Sequence, residues 1–313
     1  MASTPNNHLD AGPENDAFVF TVRPTEAQLA PLSRSERFIF SICDEVNRRR
    51  SLKEIAYTFQ RVFGAWWVHH CTKNRVRVYG LENVTALQPD RGVVFVGNHR
   101  SFFDLYVIIA RVMRTTPWFD QIYFPVRSNY FYNRIDGLAI NALMSGLSMF
   151  PPVMRDGEKR GMNQYMIDVL TEVLRSPGAL VGIHPEGARN KTDDPYTLLP
   201  ARPGVGEILY HARPIVIPVF TLGLGNKIVS EIASNFSSKY EPITLVFGEP
   251  VDLSKRYSLP ATRLTYHGIA NDLRDVMMAL GERERAIRVR EGFPDLSATS
   301  SEPARGTRRI KAA

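Results

Sequence analysis

Apolar positions fall into two alternating rhythms from residue 75 to residue 283. RVRVYG (75–80) alternates apolar with polar. GVVFVG (92–97) and GALVGIH (178–184) are unbroken apolar runs, the kind that fill strands covered on both faces. QIYFPVR (121–127), RPIVIPVFTLG (213–223) and EPITLVFGEPV (241–251) predict further strands. Between them, helical spacing predicts helices over about 102–114, 134–147, 158–176, 204–212 and 260–283. GLAINALMSGLSMFPPVM (137–154) is interrupted by polar residues and two prolines, and reads as a buried helix and loop. Strand–helix alternation of this kind predicts an α/β fold, a largely parallel sheet flanked by helices.

The chain ahead of residue 75 has a different rhythm. Residues 33–50 place Phe38, Ile42 and Val46 at helical spacing. Residues 51–71 place Leu52, Ile55, Phe59, Val62, Phe63 and Trp66 on one helical face, with Lys53 and Arg61 beside it. Ser51 and Glu54 have the spacing of a capping box. The expected organisation is a largely disordered segment over 1–32, an amphipathic helical hairpin over 33–74, an α/β domain over 75–296 and a disordered basic tail over 297–313. The hairpin has two readings. It packs on the core, or it lies on a membrane surface with its tryptophans in the interface.

The 313 residues are 44% hydrophobic, enough for a sizeable core, and the formal charge is +7. That charge favours an anionic partner: nucleic acid, an anionic membrane face or a phosphorylated substrate. Nucleic acid is disfavoured, because no groove-reading motif and no interleaving of basic and aromatic residues occurs. Cys43 and Cys71 have no metal or disulfide spacing and read as structural thiols. The first residues do not resemble a secretory signal, and no apolar run reaches membrane-spanning length. The expected location is peripheral, on the cytoplasmic face of a membrane.

The chemistry is expected where predicted strands end. GNHRSFFD follows the strand at 92–97, and HPEGARNK follows the one at 178–183. His99 has the right ionisation range for a general base, and Asp104 could orient its ring. The same stretch fits a helix start, with Asp104 returning to the Ser101 amide. Taken alone, the stretch leaves both readings open. No nucleophile elbow, P-loop or GxGxxG accompanies it, and the adjacent His69 and His70 cannot share one helical face for a metal. A base without its own serine or cysteine points to a hydroxyl brought by a substrate. In the second segment, Gly187 can adopt backbone shapes other residues resist, and Arg189 offers a fork for phosphate. Arg155 is a second candidate phosphate contact.

Four blocks in order resemble the glycerophospholipid acyltransferases, the PlsC-like group. They are Asn98-His99 through Asp104 for N-H-x-x-x-x-D, MFPPVMR (149–155) for an aromatic-rich loop ending in arginine, HPEGARN (184–190) for F-P-E-G-T-R-S, and IVIPV (215–219). The resemblance spans about residues 55–250. It implies that 75–296 is the catalytic domain, that His99 and Asp104 are catalytic, and that Arg155, Glu186, Gly187 and Arg189 bind the acceptor's phosphate end. It also implies an acyl-CoA or acyl-carrier protein co-substrate, a lysophospholipid acceptor, and neither cofactor nor metal. 1-acyl-sn-glycerol-3-phosphate is the leading acceptor, with glycerol 3-phosphate and a lyso-aminolipid as alternatives. A silent lipid-binding protein on the same fold is the alternative of another class. His184, Ala188 and Asn190 depart from the usual phenylalanine, threonine and serine, and Pro151-Pro152 from an isoleucine-aspartate pair. These departures bear on the acceptor more than on acyl transfer itself. Backbone amides near Gly187 are the expected oxyanion donors.

Overall fold

Valine- and isoleucine-rich runs build a six-stranded sheet in the computed structural model, which describes residues 18–237 and 240–296. Its strands are β1 (Val76–Tyr79), β2 (Val93–Gly97), β3 (Phe119–Tyr123), β6 (Gly178–Ile183), β7 (Ile215–Leu222) and β8 (Ile243–Phe247). The order is β1-β8-β7-β2-β6-β3, with β7 and β8 antiparallel and every other pair parallel. A separate parallel pair joins β4 (Val126–Arg127) to β5 (Pro152–Val153). The run 121–127 is therefore two strands, not one. Pro125 has no amide for the ladder, and the chain leaves the large sheet at that point.

The helices are α1 (Glu26–Leu29), α2 (Arg34–Arg48), α3 (Arg50–Phe59), α4 (Ala65–Thr72), α5 (Glu82–Thr85), α6 (Asp104–Met113), α7 (Ser128–Phe131), α8 (Ile135–Ser145), α9 (Met162–Val173), α10 (Pro203–Ala212), α11 (Ile228–Asn235), α12 (Ser254–Tyr257) and α13 (Arg263–Glu291). A π-helical turn, Gln60–Gly64, joins α3 to α4. Side chains alternate across β2. Val94 and Val96 join a core with α2, α9, α10 and α13, while Val93 and Phe95 join another with α6. The late helix runs eight residues past the predicted end at 283, to Glu291, with Glu284, Ile287 and Arg288 buried on that extension.

The N-terminal region departs from its expected form in three ways. Residues 18–32 are folded, not disordered: Phe20 is fully buried and the Val19 amide donates to the Arg48 carbonyl at 2.7 Å. The tails 1–17 and 297–313 lie outside the described residues. The start of α3 is not the Ser51–Glu54 capping box, because the helix begins at Arg50 and its N-cap residue, Arg49, makes no side-chain cap bond. The hairpin is also no separate layer. Ile39, Phe40 and Cys43 of α2 share a core with Phe150 and Tyr165.

Over α3 and α4 the packing inverts the usual rule. The face that reads as apolar in the sequence is turned outward, with Ile55, Val62, Phe63 and Trp66 exposed. Lys53, Tyr57 and Gln60 are buried instead. Lys53 Nζ donates to Asn47 Oδ1 at 2.7 Å and to Ser148 Oγ at 3.1 Å, and burial pushes its ammonium well below the usual lysine range. α8, expected to be buried, likewise turns Ile135, Ile140 and Leu143 to solvent.

Candidate active site

Register brings the two candidate segments together. Val96 of β2 pairs with Ile183 of β6, so His99 and His184 leave neighbouring strands at the same carboxyl edge. This is the crevice where open α/β sheets place their chemistry. Asn98 fixes the exit from β2: its Nδ2 donates to the Thr221 carbonyl at 2.9 Å and its Oδ1 accepts from the Thr221 amide at 2.8 Å.

Asp104 bonds both the Ser101 amide and the His99 ring, though Ser101 is not the N-cap of the helix. It is 1% exposed, at the start of α6. Its Oδ2 accepts from the Arg100 amide at 2.9 Å and the Ser101 amide at 2.8 Å, and lies 3.4 Å from His99 Nδ1. The carboxylate thus ties the Arg100–Ser101 turn to the first residue of α6, whose N-cap Phe103 makes no side-chain cap bond, and faces the ring. With Nδ1–H turned to Asp104, the lone pair of His99 is on Nε2.

His184 lies flat on His99, with ring centroids 3.9 Å apart and planes 8° from parallel. Its Nδ1 is 3.0 Å from the Gly97 carbonyl. A carbonyl only accepts, so Nδ1 carries the hydrogen and Nε2 the lone pair. In the sequence His184 stood out only as a departure from the family pattern. Its stacking role depends on the register between β2 and β6.

Burial governs the ionisation of all three groups. It pushes His99 down to about 3, with the charges of Arg189 and Arg127 adding to the effect. It pushes His184 down to about 3, with His99 adding. It raises Asp104 to about 6, against the pull of His184 and the two amides. At neutral pH His99 is therefore an unprotonated imidazole beside an ionised carboxylate, the state a general base needs.

The segment 184–190 is tied to His99 through its backbone. Glu186, buried, accepts from the His99 amide at 2.9 Å and from the Leu199 amide at 2.8 Å. Burial raises its carboxyl, against those two amides. The Asn190 amide donates to the His99 carbonyl at 2.7 Å. Gly187 has φ +62°, a backbone shape that other residues adopt only with strain, and a Cβ there would lie 3.3 Å from the Arg202 side chain. Its amide is already donated to the His184 carbonyl at 2.9 Å. Of the amides near Gly187 expected as oxyanion donors, its own is therefore engaged within the turn.

A cleft opens over this centre, lined by His99, His184, Arg127, Arg189, Lys191 and Arg202, with Tyr106 and Phe124 on an apolar wall. The Arg189 guanidinium lies over the Phe102 ring at 3.5 Å, and its Nη1 donates to Asn226 Oδ1 at 2.8 Å. Burial, and then the charges of Arg155, Arg189 and Arg202, lower Arg127 below the usual guanidinium range. Arg155 is held at the Gly187 turn. Its Nη2 donates to the Gly187 carbonyl at 2.6 Å, the same carbonyl that accepts from Arg127 Nη2 at 3.3 Å. Arg127, Lys191 and Arg202 were not singled out from sequence, because isolated basic residues carry no motif.

A second, largely apolar cavity shares Tyr106 and Phe124 with the cleft and reaches Phe63, Trp67, Leu143 and Ile228.

His99, Asp104 and His184 also bring ligand-type atoms within 4.8 Å of one another. Metal ligation needs in-plane lone pairs converging on one point at about 2.0 Å. Two parallel stacked rings direct theirs side by side, and Asp104 Oδ2 already accepts from two amides.

With that geometry in place, comparison with known proteins is decisive for one stretch. Residues 75–221 match the family model described as Acyltransferase. Those residues are an acyltransferase-family domain. The match contains His99, Asp104, Arg155, Glu186, Gly187 and Arg189, and it ends one residue before the last residue of β7. Among solved structures, the chain is similar to the 1-acyl-sn-glycerophosphate (LPA) acyltransferase PlsC from Thermotoga maritima, at 17% identity and a TM-score of 0.42, over 78% of this chain and 88% of that one. No curated protein matches the chain. In the acyltransferase domain, strand ends β2 and β6 supply the histidines, and α6 supplies the aspartate.

Proposed function

We propose that the protein transfers a fatty acyl group from acyl-CoA or acyl-carrier protein to a lysophospholipid hydroxyl. The observation that carries this reading is one cleft with a neutral, carboxylate-steered imidazole at its base, cations on its rim and an apolar cavity behind its wall. His99 Nε2 takes the proton from the acceptor hydroxyl as its oxygen attacks the thioester carbonyl. The carbon–sulfur bond then breaks, and the leaving thiolate recovers the proton from the imidazolium. General-base action of this kind contributes about 10²–10⁴-fold. Asp104 holds the ring and stabilises its charged form. Arg189, with Arg127 and Arg202, faces the acceptor's phosphate, a role suited to guanidinium forks. Arg155 and Glu186 hold the Gly187 turn in place, and the apolar cavity receives acyl chain. No cofactor is required by this chemistry.

The leading acceptor is 1-acyl-sn-glycerol-3-phosphate, which would give phosphatidic acid, with glycerol 3-phosphate and a lyso-aminolipid as alternatives. Labelled acyl-CoA and acyl-carrier protein, offered against a panel of these acceptors, test the reading. Transfer to a phosphate-bearing acceptor supports it. Absence of transfer to every acceptor, with lipid still bound, would identify a silent lipid-binding protein.

A further inference from the structure

The run GLGNK (223–227) follows β7 and lies beyond residue 221, where the family match ends. It is nevertheless the piece of chain that joins the two candidate segments. Asn226 Oδ1 accepts from the Phe102 amide at 3.1 Å and from Arg189 Nη1 at 2.8 Å, while its Nδ2 donates to the Arg100 carbonyl at 3.4 Å. Beside it, Ser101 Oγ donates to the Gly225 carbonyl. One amide therefore bonds the turn between His99 and Asp104 on one side and the arginine of 184–190 on the other. Two donors converge on Oδ1, a duty the amide nitrogen cannot take, so the orientation of this side chain is fixed.

No local need explains these bonds. Asparagine is common at helix starts, where its oxygen accepts from an amide of the first turn. Asn226 stands one place ahead of Lys227, the N-cap of α11, and none of its side-chain bonds goes to that helix. The loop that carries it is held from behind. Arg75, 3% exposed, donates to the Gly223 carbonyl at 2.8 Å and to Glu231 Oε2 at 2.8 Å. Gly223 has φ +92°, and a Cβ there would lie 2.1 Å from the Pro242 carbonyl oxygen. The loop is thus pressed against the chain that enters β8.

The consequence falls on Arg189. The Phe102 contact holds its guanidinium against the ring, and the bond from Nη1 to Asn226 decides which edge is left over. Nε and Nη2 have no partner among the described residues, and that edge is the fork that meets a phosphate with two parallel bonds.

We infer that Asn226 is a positioning residue, which aims the Nε–Nη2 edge of Arg189 at the acceptor's phosphate. The inference rests on the phosphate role proposed for Arg189. An arginine that is already held loses less side-chain freedom when it binds, so affinity for the phosphate is the quantity that Asn226 controls.

A double-mutant cycle tests it, with 1-hexanoyl-sn-glycerol 3-phosphate as the acceptor. Asn226→Ala is expected to raise its KM on the order of tenfold, with kcat lowered by less. The melting temperature should change little, because the side chain is exposed. In the Arg189→Ala background the same substitution is expected to raise KM by less than about twofold, because its partner is gone. A rise of equal size in both backgrounds would mark a merely structural loop and overturn the inference, as would a wild-type KM in Asn226→Ala. The cycle is repeated on binding of this acceptor, read by calorimetry, which needs no transfer. The same coupling in binding, from a wild-type chain that transfers to no acceptor, would support the inference and strike the proposed function. A wild-type chain that does not bind the acceptor would overturn the inference.

Discussion

His184 lies face to face with His99, its planes 8° from parallel, and its own Nδ1 is anchored on the Gly97 carbonyl. The stack holds one face of the proposed base, while Asp104 lies at its Nδ1. His184→Phe should keep a flat ring there and leave transfer within about one order of magnitude, whereas His184→Ala should lower kcat on the order of 10²-fold, the cost of a misplaced reacting group. Steady-state kinetics of the two variants, with thermal melts as a fold control, decide the matter. Equal losses in both would show that shape is not the role.

His99 and Asp104 should separate in stability, though not in activity. His99→Ala should abolish nearly all transfer and leave the melting temperature little changed. Asp104→Asn should also lose transfer, and in addition lose about 1–3 kcal/mol of stability, because its carboxylate accepts from the Arg100 and Ser101 amides. Denaturant unfolding beside the activity assay checks this. An Asp104→Asn protein as stable as the parent would remove its role in holding the turn before α6.

Acid should switch the site off through Asp104 before His99. The working state is neutral His99 with ionised Asp104. On acidification Asp104 protonates at about 6, while His99 stays neutral until about 3. The acid limb of kcat/KM is therefore expected near pH 6.

Stability should respond to pH in the opposite sense for the two kinds of group. His99 and His184 hold values of about 3 against an ordinary 6.5, so between those limits the unfolded chain binds protons that the folded chain refuses, and stability falls as pH drops. Asp104, raised from 3.8 to about 6, opposes this with a contribution that is full below 3.8 and lost as pH rises through 6. Two histidines with the wider window outweigh one aspartate. Melts taken between neutral pH and pH 4 should show a net fall, reduced in His184→Phe.

Removing the cleft cations should raise the acceptor's KM more than it lowers kcat. Arg189→Ala and Arg127→Ala should each do so for phosphate-bearing acceptors, while Arg155→Ala should act through the Gly187 turn and lower kcat as well. An unchanged KM in the first two variants would remove them from phosphate binding.

Deleting residues 1–72 should unfold the protein, not merely release it from lipid. Ile39, Phe40 and Cys43 sit in the main core, and Arg48, fully buried, bonds Asp44 at 2.9 Å and the Val22 carbonyl at 2.6 Å. Circular dichroism of the truncated chain checks this. A folded product would make the helices a detachable anchor.

The sequence by itself determined the alternation of strands and helices, because a period of two and a helical period are local properties of side-chain direction. It also determined the proposed catalytic pair, since His99 and Asp104 are close along the chain and one helix start can join them. Tertiary structure alone decided what meets across strands. The β2–β6 register put His184 on His99, and the fold gathered Arg127 and Arg202 beside Arg189 and set Arg155 on the Gly187 carbonyl. It alone decided, too, which side of an amphipathic helix faces in. Spacing locates the apolar face of α3, but only its neighbours, which offer buried partners to Lys53 and Gln60, turn that face outward.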